Sequence, residues 1–376
     1  MSLIAFWLSF TLLHYAYIIY PLILKYLVKP KKVEQYHYKN WPDVDVVISA
    51  YNEEKCIKER LENLVEQDYP GKFRVLVASD GSSDLTSTII ESFSDPKILS
   101  FIFYKNRGKV TILNELISYS NAEIVVLTDA NTQFANDAIT QLVSCFTPKI
   151  GAVSGHLQLF SKENNNSTDA LYWQYEQFLK QREATFGFLL GANGGIYAIR
   201  RTLYQHLPAN TLVDDYCIIM NIIKQNYSIA YNNFALAEEE VAPSLRDEFN
   251  RRVRIGIGNY RAFFSMAWAL STSRGIFCWC YISHKVLRWF APQLLITVFL
   301  SNLMLIQNTF YLILLLIQIT FYAVATYGIY KLSNNKKIIK PIRITAFFVA
   351  MNAALAVGFL RYITGSKNIN WKSTHR

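Results

Sequence analysis

The sequence predicts an α/β domain with a doubly wound, mostly parallel central sheet, flanked by transmembrane helices. Three observations lead to this prediction. Short apolar runs suited to strands alternate with amphipathic segments of helical length between residues 44 and 128, which is the pattern of strands joined by crossover helices. Residues 33 to about 270 form a polar segment of ordinary single-domain size. Long apolar blocks stand on both sides of that segment.

The individual elements follow from local patterns. In the run VDVVIS, residues 44–49, β-branched side chains dominate, and the next helix carries Ile57, Leu61 and Leu64 on one stripe. The predicted strands of the first half are 44–49, 73–78, 98–103 and 124–128, and the predicted helices are 53–67, 84–93 and a third ending at Tyr119. In the second half we expect strands at 151–159 and 196–199 and helices at 168–183, 212–225 and 247–264.

The apolar blocks predict membrane crossings at both ends. Ser2 to Leu27 contains a single charged residue, Lys25, and is long enough to cross a bilayer. It lacks the features of a cleaved signal, so residues 1–28 are predicted to be an anchor. The predicted trailing segment, 276–376, contains an interfacial helix and spans at about 286–306, 309–330 and 344–362. By the positive-inside rule, the lysines after the first crossing place the middle segment in the cytoplasm; they are Lys25, Lys29, Lys31 and Lys32.

Composition and motif content exclude several classes of function. The net charge of +10 is explained by juxtamembrane lysines that meet anionic lipid. Nucleic-acid binding is not expected, because no concentrated basic face with aromatic platforms is apparent. The five cysteines are scattered, which argues against a disulfide framework. The sequence has no P-loop and no G-x-G-x-x-G after the first strand, which excludes kinase-like and dinucleotide-binding functions.

The tripeptide Asp129-Ala130-Asn131 directly follows the fourth predicted strand. Ligands of open α/β sheets bind beyond the carboxyl ends of the strands. A carboxylate and an amide oxygen two residues apart suit Mg²⁺ or Mn²⁺ that is held mainly by a substrate's phosphates. The alternative is that Asp129 and Asn131 only form a turn or cap the next helix.

Two neighbouring loops are expected at the same edge of the sheet. Asp80 follows the second strand, where its carboxylate could accept hydrogen bonds from a base or ribose. The alternative is that the segment Ser79–Asp84 only caps the following helix. Arg107-Gly108-Lys109 opens the next helix, and a basic, glycine-containing helix start favours phosphate.

Later motifs add acids, glycines and arginines. Asp214 and Asp215 open a helix, where they either complement its dipole or share a pocket in which repulsion raises one pKa towards that of a general base. Three glycines within 191–195 predict a backbone that bends or approaches another group closely. The helix at 247–264 carries arginines on one face, which would meet either a diphosphate or anionic lipid.

Taken together, these motifs resemble the membrane-embedded family 2 glycosyltransferases, such as cellulose, hyaluronan and poly-N-acetylglucosamine synthases. The resemblance covers residues 44 to about 262 and the order of one leading and several trailing spans. The matching motifs are ISAYNE (48–53), SDGSSD (79–84), Asp129-Ala130-Asn131, Asp214-Asp215 and RRVR (251–254). The resemblance implies a GT-A fold, which is a single nucleotide-sugar-binding α/β domain, and a reaction that inverts the anomeric centre.

By position, the resemblance also implies which residues bind the donor. Asp80 would contact the uracil, and Asp129 together with Asn131 would bind the diphosphate and its Mg²⁺ or Mn²⁺. The full set of implied donor contacts is Ala50, Tyr51, Glu53, Asp80, Lys109, Asp129 and Arg251.

The residues that would act on the acceptor and on the leaving group lie further along the chain. Asp215 resembles the general base that deprotonates the acceptor hydroxyl, with Asp214 beside it. Arg254 would offset charge on the leaving diphosphate. The turn that contains Asn193 and Gly194 resembles the family's acceptor-side loop.

The sequence departs from the polymer synthases at two motifs. Where the synthases have a Q-x-x-R-W motif, this chain has Arg251 in place of the Gln and Ile255 in place of the Trp. In the metal-binding motif, Asn131 replaces an aspartate, so the motif carries one negative charge fewer. We therefore expect transfer of one or a few sugars from a UDP-sugar to a lipid-linked or glycan acceptor, in cell-envelope or exopolysaccharide synthesis. The expected setting is a bacterial inner membrane, with the domain 33–270 in the cytoplasm. The alternatives are a processive polysaccharide synthase and a non-catalytic scaffold that binds nucleotide.

Overall fold

The computed structural model describes residues 1–30, 35–36, 38–160, 168–240, 244–334 and 336–365, with the side chains of 168–171 left out. The chain forms two compact units. One comprises the described residues between 30 and 241, and the other comprises residues 1–29 together with the described residues from 244 onwards. Lys31 and Lys32 of the predicted basic linker, and the predicted tail beyond residue 365, lie outside the described residues.

The chain begins with α1 (Ser2–Leu27), which is long and apolar enough to cross a membrane. A π-helical turn interrupts it at Tyr15–Ile19. Such a turn places one extra residue in the helix, and the Tyr15 hydroxyl there accepts a hydrogen bond of 2.8 Å from the Trp279 indole of the same unit. Polar contacts of this kind connect helices where the surrounding surface is apolar.

In the other unit, the described residues form one sheet of eight strands. They are β1 (Val44–Ala50), β2 (Phe73–Asp80), β3 (Ile98–Phe103), β4 (Ile124–Leu127), β5 (Thr132–Phe134), β6 (Ile150–Phe160), β7 (Tyr197–Arg200) and β8 (Ser228–Glu240). Their order across the sheet is β3-β2-β1-β4-β7-β6-β8-β5. All seven residues of β1 are buried, as expected for a central strand covered on both faces.

The sheet is mixed, with a parallel half and a half that contains antiparallel pairs. β1 pairs in parallel with β2 and β4, and β2 pairs in parallel with β3. β7 is antiparallel to both of its neighbours, and β5 is antiparallel to β8. The prediction of an α/β fold is confirmed. The predicted parallel arrangement holds best for β1 to β4, because crossover helices follow each of the first three strands.

Over its described residues, the sheet unit has six α-helices. They are α2 (Ile57–Val65), α3 (Thr86–Ser92), α4 (Lys109–Tyr119), α5 (Ala138–Val143), α6 (Thr168–Glu183) and α7 (Asp214–Lys224). α2 begins four residues later than predicted, because the Glu53 carbonyl accepts from the backbone N–H groups of both Cys56 and Ile57 and so forms a turn first. The core lies between these helices and the sheet, where Ile48, Leu61 and Val126 are fully buried.

Besides α1, the described residues of the remaining unit form further helices. They are α8 (Leu245–Ser265), α9 (Ile276–Trp289), α10 (Ala291–Leu303), α11 (Thr309–Ser333) and α12 (Lys340–Ile363). Among the described residues, three helices are long and apolar enough to span a membrane, or four if α9 and α10, bent by 63°, count as one span. Pro292 lies in the first turn of α10, and a proline there favours a new helix start rather than continuation of α9.

Candidate active site

The carboxyl ends of β1 and β2 lie side by side, with Ala50 paired to Ser79. The loops that follow these strands are joined by hydrogen bonds. Asn52 accepts from the Ser83 backbone N–H at 2.8 Å, and Asn52 itself has a positive φ of 55°, which asparagine tolerates better than most residues. The Glu53 backbone N–H donates to the Thr86 hydroxyl at 2.7 Å. These bonds fix the segment that carries Tyr51 and Glu53, two of the predicted donor contacts.

Asp80 ends β2 and is fully buried. Its two carboxylate oxygens accept from the backbone N–H groups of Arg107 at 2.7 Å and Gly108 at 2.8 Å. Gly81 makes this approach possible, because a Cβ there would lie 2.4 Å from the Asn106 nitrogen. Asp80 therefore anchors the loop before α4, and its predicted contact with a base would require that loop to open. Ala50 is also fully buried, so its predicted contact with a nucleotide does not fit the structure.

Lys109 is the first residue of α4, and its ammonium group joins two carboxylates. Its Nζ lies 2.8 Å from Asp129 Oδ1 and 3.3 Å from Asp214 Oδ2. Burial alone would lower the pKa of Lys109, but the opposite charges of Asp129 and Asp214 outweigh burial and raise it. The structure thus brings together Asp129, from the end of β4, and Asp214, from the start of α7, around one cation.

Asp215 lies beside this cluster and is partly buried. Its pKa is raised by burial and by the neighbouring charge of Asp214, against the opposing effects of Lys109, Lys180 and the Tyr216 backbone N–H. That N–H donates to Asp215 Oδ1 at 2.8 Å. A Cβ at Gly194 would lie 3.2 Å from Asp215 Oδ2, so the glycine-rich turn passes directly against this carboxylate.

The turn itself is held by Asn193, which is fully buried. Its backbone N–H donates to the Ser154 hydroxyl at 3.0 Å, and its side-chain amide donates to the Gly155 carbonyl at 2.6 Å. Its side-chain oxygen accepts from Lys180 Nζ at 2.6 Å. Direct acceptor binding by Asn193 does not fit this burial. Of the two predicted acceptor residues, Gly194 is the one that faces Asp215.

Lys180 and Arg60, two buried cations of the described part of the sheet unit, were not predicted from the sequence. Lys180, on α6, donates to the Ala192 carbonyl at 3.1 Å and to Asn193. Arg60, on α2, is fully buried and donates to the Thr128 hydroxyl at 2.8 Å. Burial lowers the pKa of Arg60 to about 9, although the charge of Asp129 acts in the opposite direction. Both residues lie on helices with apolar stripes. On such a helix, the sequence alone predicts that charged residues face the solvent.

Replacing Lys180 with methionine should lower the free energy of unfolding by about 1–3 kcal/mol. The loss leaves the Ala192 carbonyl and the Asn193 side-chain oxygen buried without this donor. Chemical denaturation in detergent measures the change, and Lys72→Met, at an exposed lysine of the same unit, serves as the control. Equal stability of the two variants would show that Lys180 does not hold the turn.

The residues predicted to bind a divalent cation are placed as follows. Asp129 is one-third exposed and contacts Lys109, while the side-chain amide of Asn131 donates to Glu239 at 3.3 Å. Among the described residues, no group of three or more His, Cys, Asp or Glu side chains is arranged to hold a metal. One carboxylate and one amide oxygen fit Mg²⁺ or Mn²⁺ only when a diphosphate supplies most of the other oxygens.

The predicted arginines lie on α8, which belongs to the other unit. The side chains of Arg251 and Arg252 both contact Glu248, at 3.5 Å and 2.6 Å. The predicted roles of Arg251 and Arg254 at a diphosphate stay predictions.

Comparison with known proteins finds sequences and a fold similar to those of this chain. The family model described as Glycosyl transferase family 2 matches residues 45–207. An N-acetylglucosaminyltransferase of Bradyrhizobium diazoefficiens is 28% identical over 61% of this chain and 51% of its own length. A poly-beta-1,6-N-acetyl-D-glucosamine synthase of Staphylococcus epidermidis is 24% identical over 60% of this chain and 57% of its own length. The chain thus covers little more than half of each relative.

The fold is also found in a solved structure. A mannosyltransferase from Pyrobaculum calidifontis, in complex with GDP-Man and Mn²⁺, superimposes with a TM-score of 0.75 over 97% of this chain and 99% of that chain. At 22% identity this similarity concerns the fold alone. The matched family model leads to one conclusion: residues 45–207 of this chain are a glycosyl transferase family 2 domain.

Proposed function

We propose that this protein is an inverting glycosyltransferase that moves a sugar from a UDP-sugar to a membrane-associated lipid or glycan acceptor. The reaction would serve cell-envelope or exopolysaccharide synthesis. The observation that carries the proposal is the convergence of Asp129 and Asp214 on Lys109, with Asp215 beside them. Carboxylates next to a lysine ammonium group supply both a proton acceptor and a place for phosphate.

In the proposed reaction, Asp215 accepts the proton of the acceptor hydroxyl while the hydroxyl oxygen bonds to the anomeric carbon. The bond between that carbon and the β-phosphate oxygen breaks, and its electron pair leaves with UDP, so the configuration at the anomeric carbon is inverted. The raised pKa of Asp215 makes its carboxylate a stronger base than an exposed one. Lys109 is assigned to offset negative charge on the diphosphate.

The donor would lie along the loops after β1, β2 and β4. Tyr51 and Glu53 border the nucleotide in this proposal, and Asp80 holds the Arg107–Gly108 loop that positions Lys109. Asp129 and Asn131 would hold Mg²⁺ or Mn²⁺ together with the donor's phosphates. When bound, the cation would supply further neutralisation of the leaving group.

N-acetylglucosamine is the sugar that the relatives favour, because two of them are named for its transfer or polymerisation. UDP is the nucleotide we propose. The mannosyltransferase with the same fold was solved with GDP-Man, and the fold alone does not distinguish the two nucleotides. A donor panel must therefore include both.

The acceptor is proposed to be held at the membrane. Several described helices are long and apolar enough to span one, and confining the acceptor to the membrane surface would supply proximity. We place residues 33–270 in the cytoplasm and the helices from 276 onwards, with residues 1–28, in a bacterial inner membrane.

Processive polymerisation is a second candidate, favoured by the relative named as a poly-N-acetylglucosamine synthase. Ile255 argues against it, because the polymer synthases carry a tryptophan at the matching position that helps to bind the acceptor sugar. We expect products that contain one or a few added sugars. Mass spectrometry of extracted products measures their length, and long chains formed at limiting acceptor would favour the synthase.

Nucleotide release from a panel of donors tests the proposal. Protein purified in detergent, with Mn²⁺ and a membrane lipid extract, should release UDP from UDP-N-acetylglucosamine faster than from UDP-glucose, and faster than it releases GDP from GDP-mannose. Faster GDP release would overturn the nucleotide assignment. No release from any donor would favour the non-catalytic scaffold.

A further inference from the structure

The ammonium group of Lys109 contacts the carboxylate oxygen of Asp129 that a divalent cation would need. Its Nζ is 2.8 Å from Asp129 Oδ1, and the same nitrogen reaches Asp214 at 3.3 Å. Asn131, the other predicted metal ligand, directs its amide nitrogen at Glu239. Among the described residues there is no alternative group of three metal-binding side chains. Lys109 thus supplies a positive charge to the carboxylates of Asp129 and Asp214 from within the chain.

The Lys109 side chain can change partner without moving the backbone. Asp80 fixes the backbone of Arg107 and Gly108 immediately before Lys109, so the Cα is held in place. The ammonium itself sits at the end of a flexible stem, and the side chain is 22% exposed. A diphosphate placed at the start of α4 would offer this cation oxygens of higher negative charge than Asp129 does.

We propose that Lys109 is an internal counter-cation that makes metal binding conditional on the donor. In the absence of donor, Lys109 neutralises Asp129 and competes with Mg²⁺ or Mn²⁺ for its carboxylate. The donor's phosphates draw the ammonium away from Asp129 Oδ1, so that this oxygen can bind the cation. This inference rests on the proposed function, because it takes the ligand at α4 to be a nucleoside diphosphate.

The test is Mn²⁺ binding, followed by the electron paramagnetic resonance signal of free Mn²⁺, with and without UDP. Wild-type protein should bind Mn²⁺ about 5- to 150-fold more tightly when UDP is present. Lys109→Met should bind Mn²⁺ more tightly than wild type without UDP, by a factor in the same range, and UDP should add little. Lys105→Met, at an exposed lysine of the same loop, should behave as wild type.

Two further variants keep the outcome clear. Lys109→Arg retains a cation and should resemble wild type, which separates loss of charge from loss of folding. Adding Asp129→Asn to Lys109→Met should abolish the gained Mn²⁺ binding and so assign it to this site. Equal Mn²⁺ affinities of folded Lys109→Met and wild type without UDP would overturn the inference.

Failure of the proposed function would give a different pattern. If neither UDP nor GDP binds to wild-type protein, the donor assignment fails. The comparison of Lys109→Met with wild type in the absence of nucleotide still decides whether Lys109 competes with the cation.

Discussion

Replacing Asp215 with asparagine is expected to lower kcat for sugar transfer by about 10²- to 10⁴-fold, with little change in donor affinity. Asparagine keeps the size of the side chain but cannot accept the acceptor's proton. Because Asp129 and Lys109 remain in place, the donor should still bind. Steady-state kinetics with the preferred donor measure kcat, and calorimetry with UDP measures binding.

The control for this substitution is Asp43→Asn, which alters an exposed carboxylate just before β1, at the opposite edge of the sheet. It should retain wild-type kinetics. The pH profile gives an independent readout, because the raised pKa of Asp215 means that the basic form is lost at a higher pH than for an ordinary aspartate. The rate should therefore fall as the pH drops through that raised value. Wild-type turnover by Asp215→Asn would remove this residue from the mechanism.

Replacing Asp129 with alanine should abolish the gain in UDP affinity that Mn²⁺ confers and lower transfer by about 10²- to 10³-fold. The substitution removes the carboxylate assigned to the cation and also removes one partner of Lys109. Titration of UDP with and without Mn²⁺ measures the metal-dependent part of binding. An unchanged metal-dependent affinity in Asp129→Ala would contradict the role given to this carboxylate.

The two substitutions are expected to fail at different steps. Asp215→Asn should bind donor and metal but not transfer the sugar, whereas Asp129→Ala should lose the coupling between donor and metal. If Asp215→Asn and Asp129→Ala showed the same defect in both binding and transfer, the cluster around Lys109 would act only as a structural support.

The parallel half of the sheet was predictable because apolar residues dominate each of its strands. The long strand β8 was not predicted, since its Tyr231-Asn232-Asn233 segment reads as a turn and its acidic end reads as solvent-exposed. In the structure, the pairing of β8 with β6 shifts register between Gly155 and His156. An irregularity of that kind cannot be read from local alternation.

The candidate site was predictable in part for a related reason. The carboxyl ends of neighbouring parallel strands share one edge of the sheet, so Asp80 and Asp129 were expected near each other. The contact of Lys109 with Asp214 depends on how α7 packs, which no local pattern contains. The burial of Asn193 likewise depends on Lys180, a charged residue on a helix that the sequence pattern would leave exposed.

The most direct test of the account is transfer of labelled sugar by the purified protein in membranes. With UDP-[¹⁴C]N-acetylglucosamine and Mn²⁺, label should appear in a lipid-linked or glycan product in equal molar amount to the UDP released. Asp215→Asn should yield neither. Nucleotide binding without release, or release of UDP with the sugar recovered only as free N-acetylglucosamine, would contradict the proposal that this protein transfers a sugar to a membrane-associated acceptor.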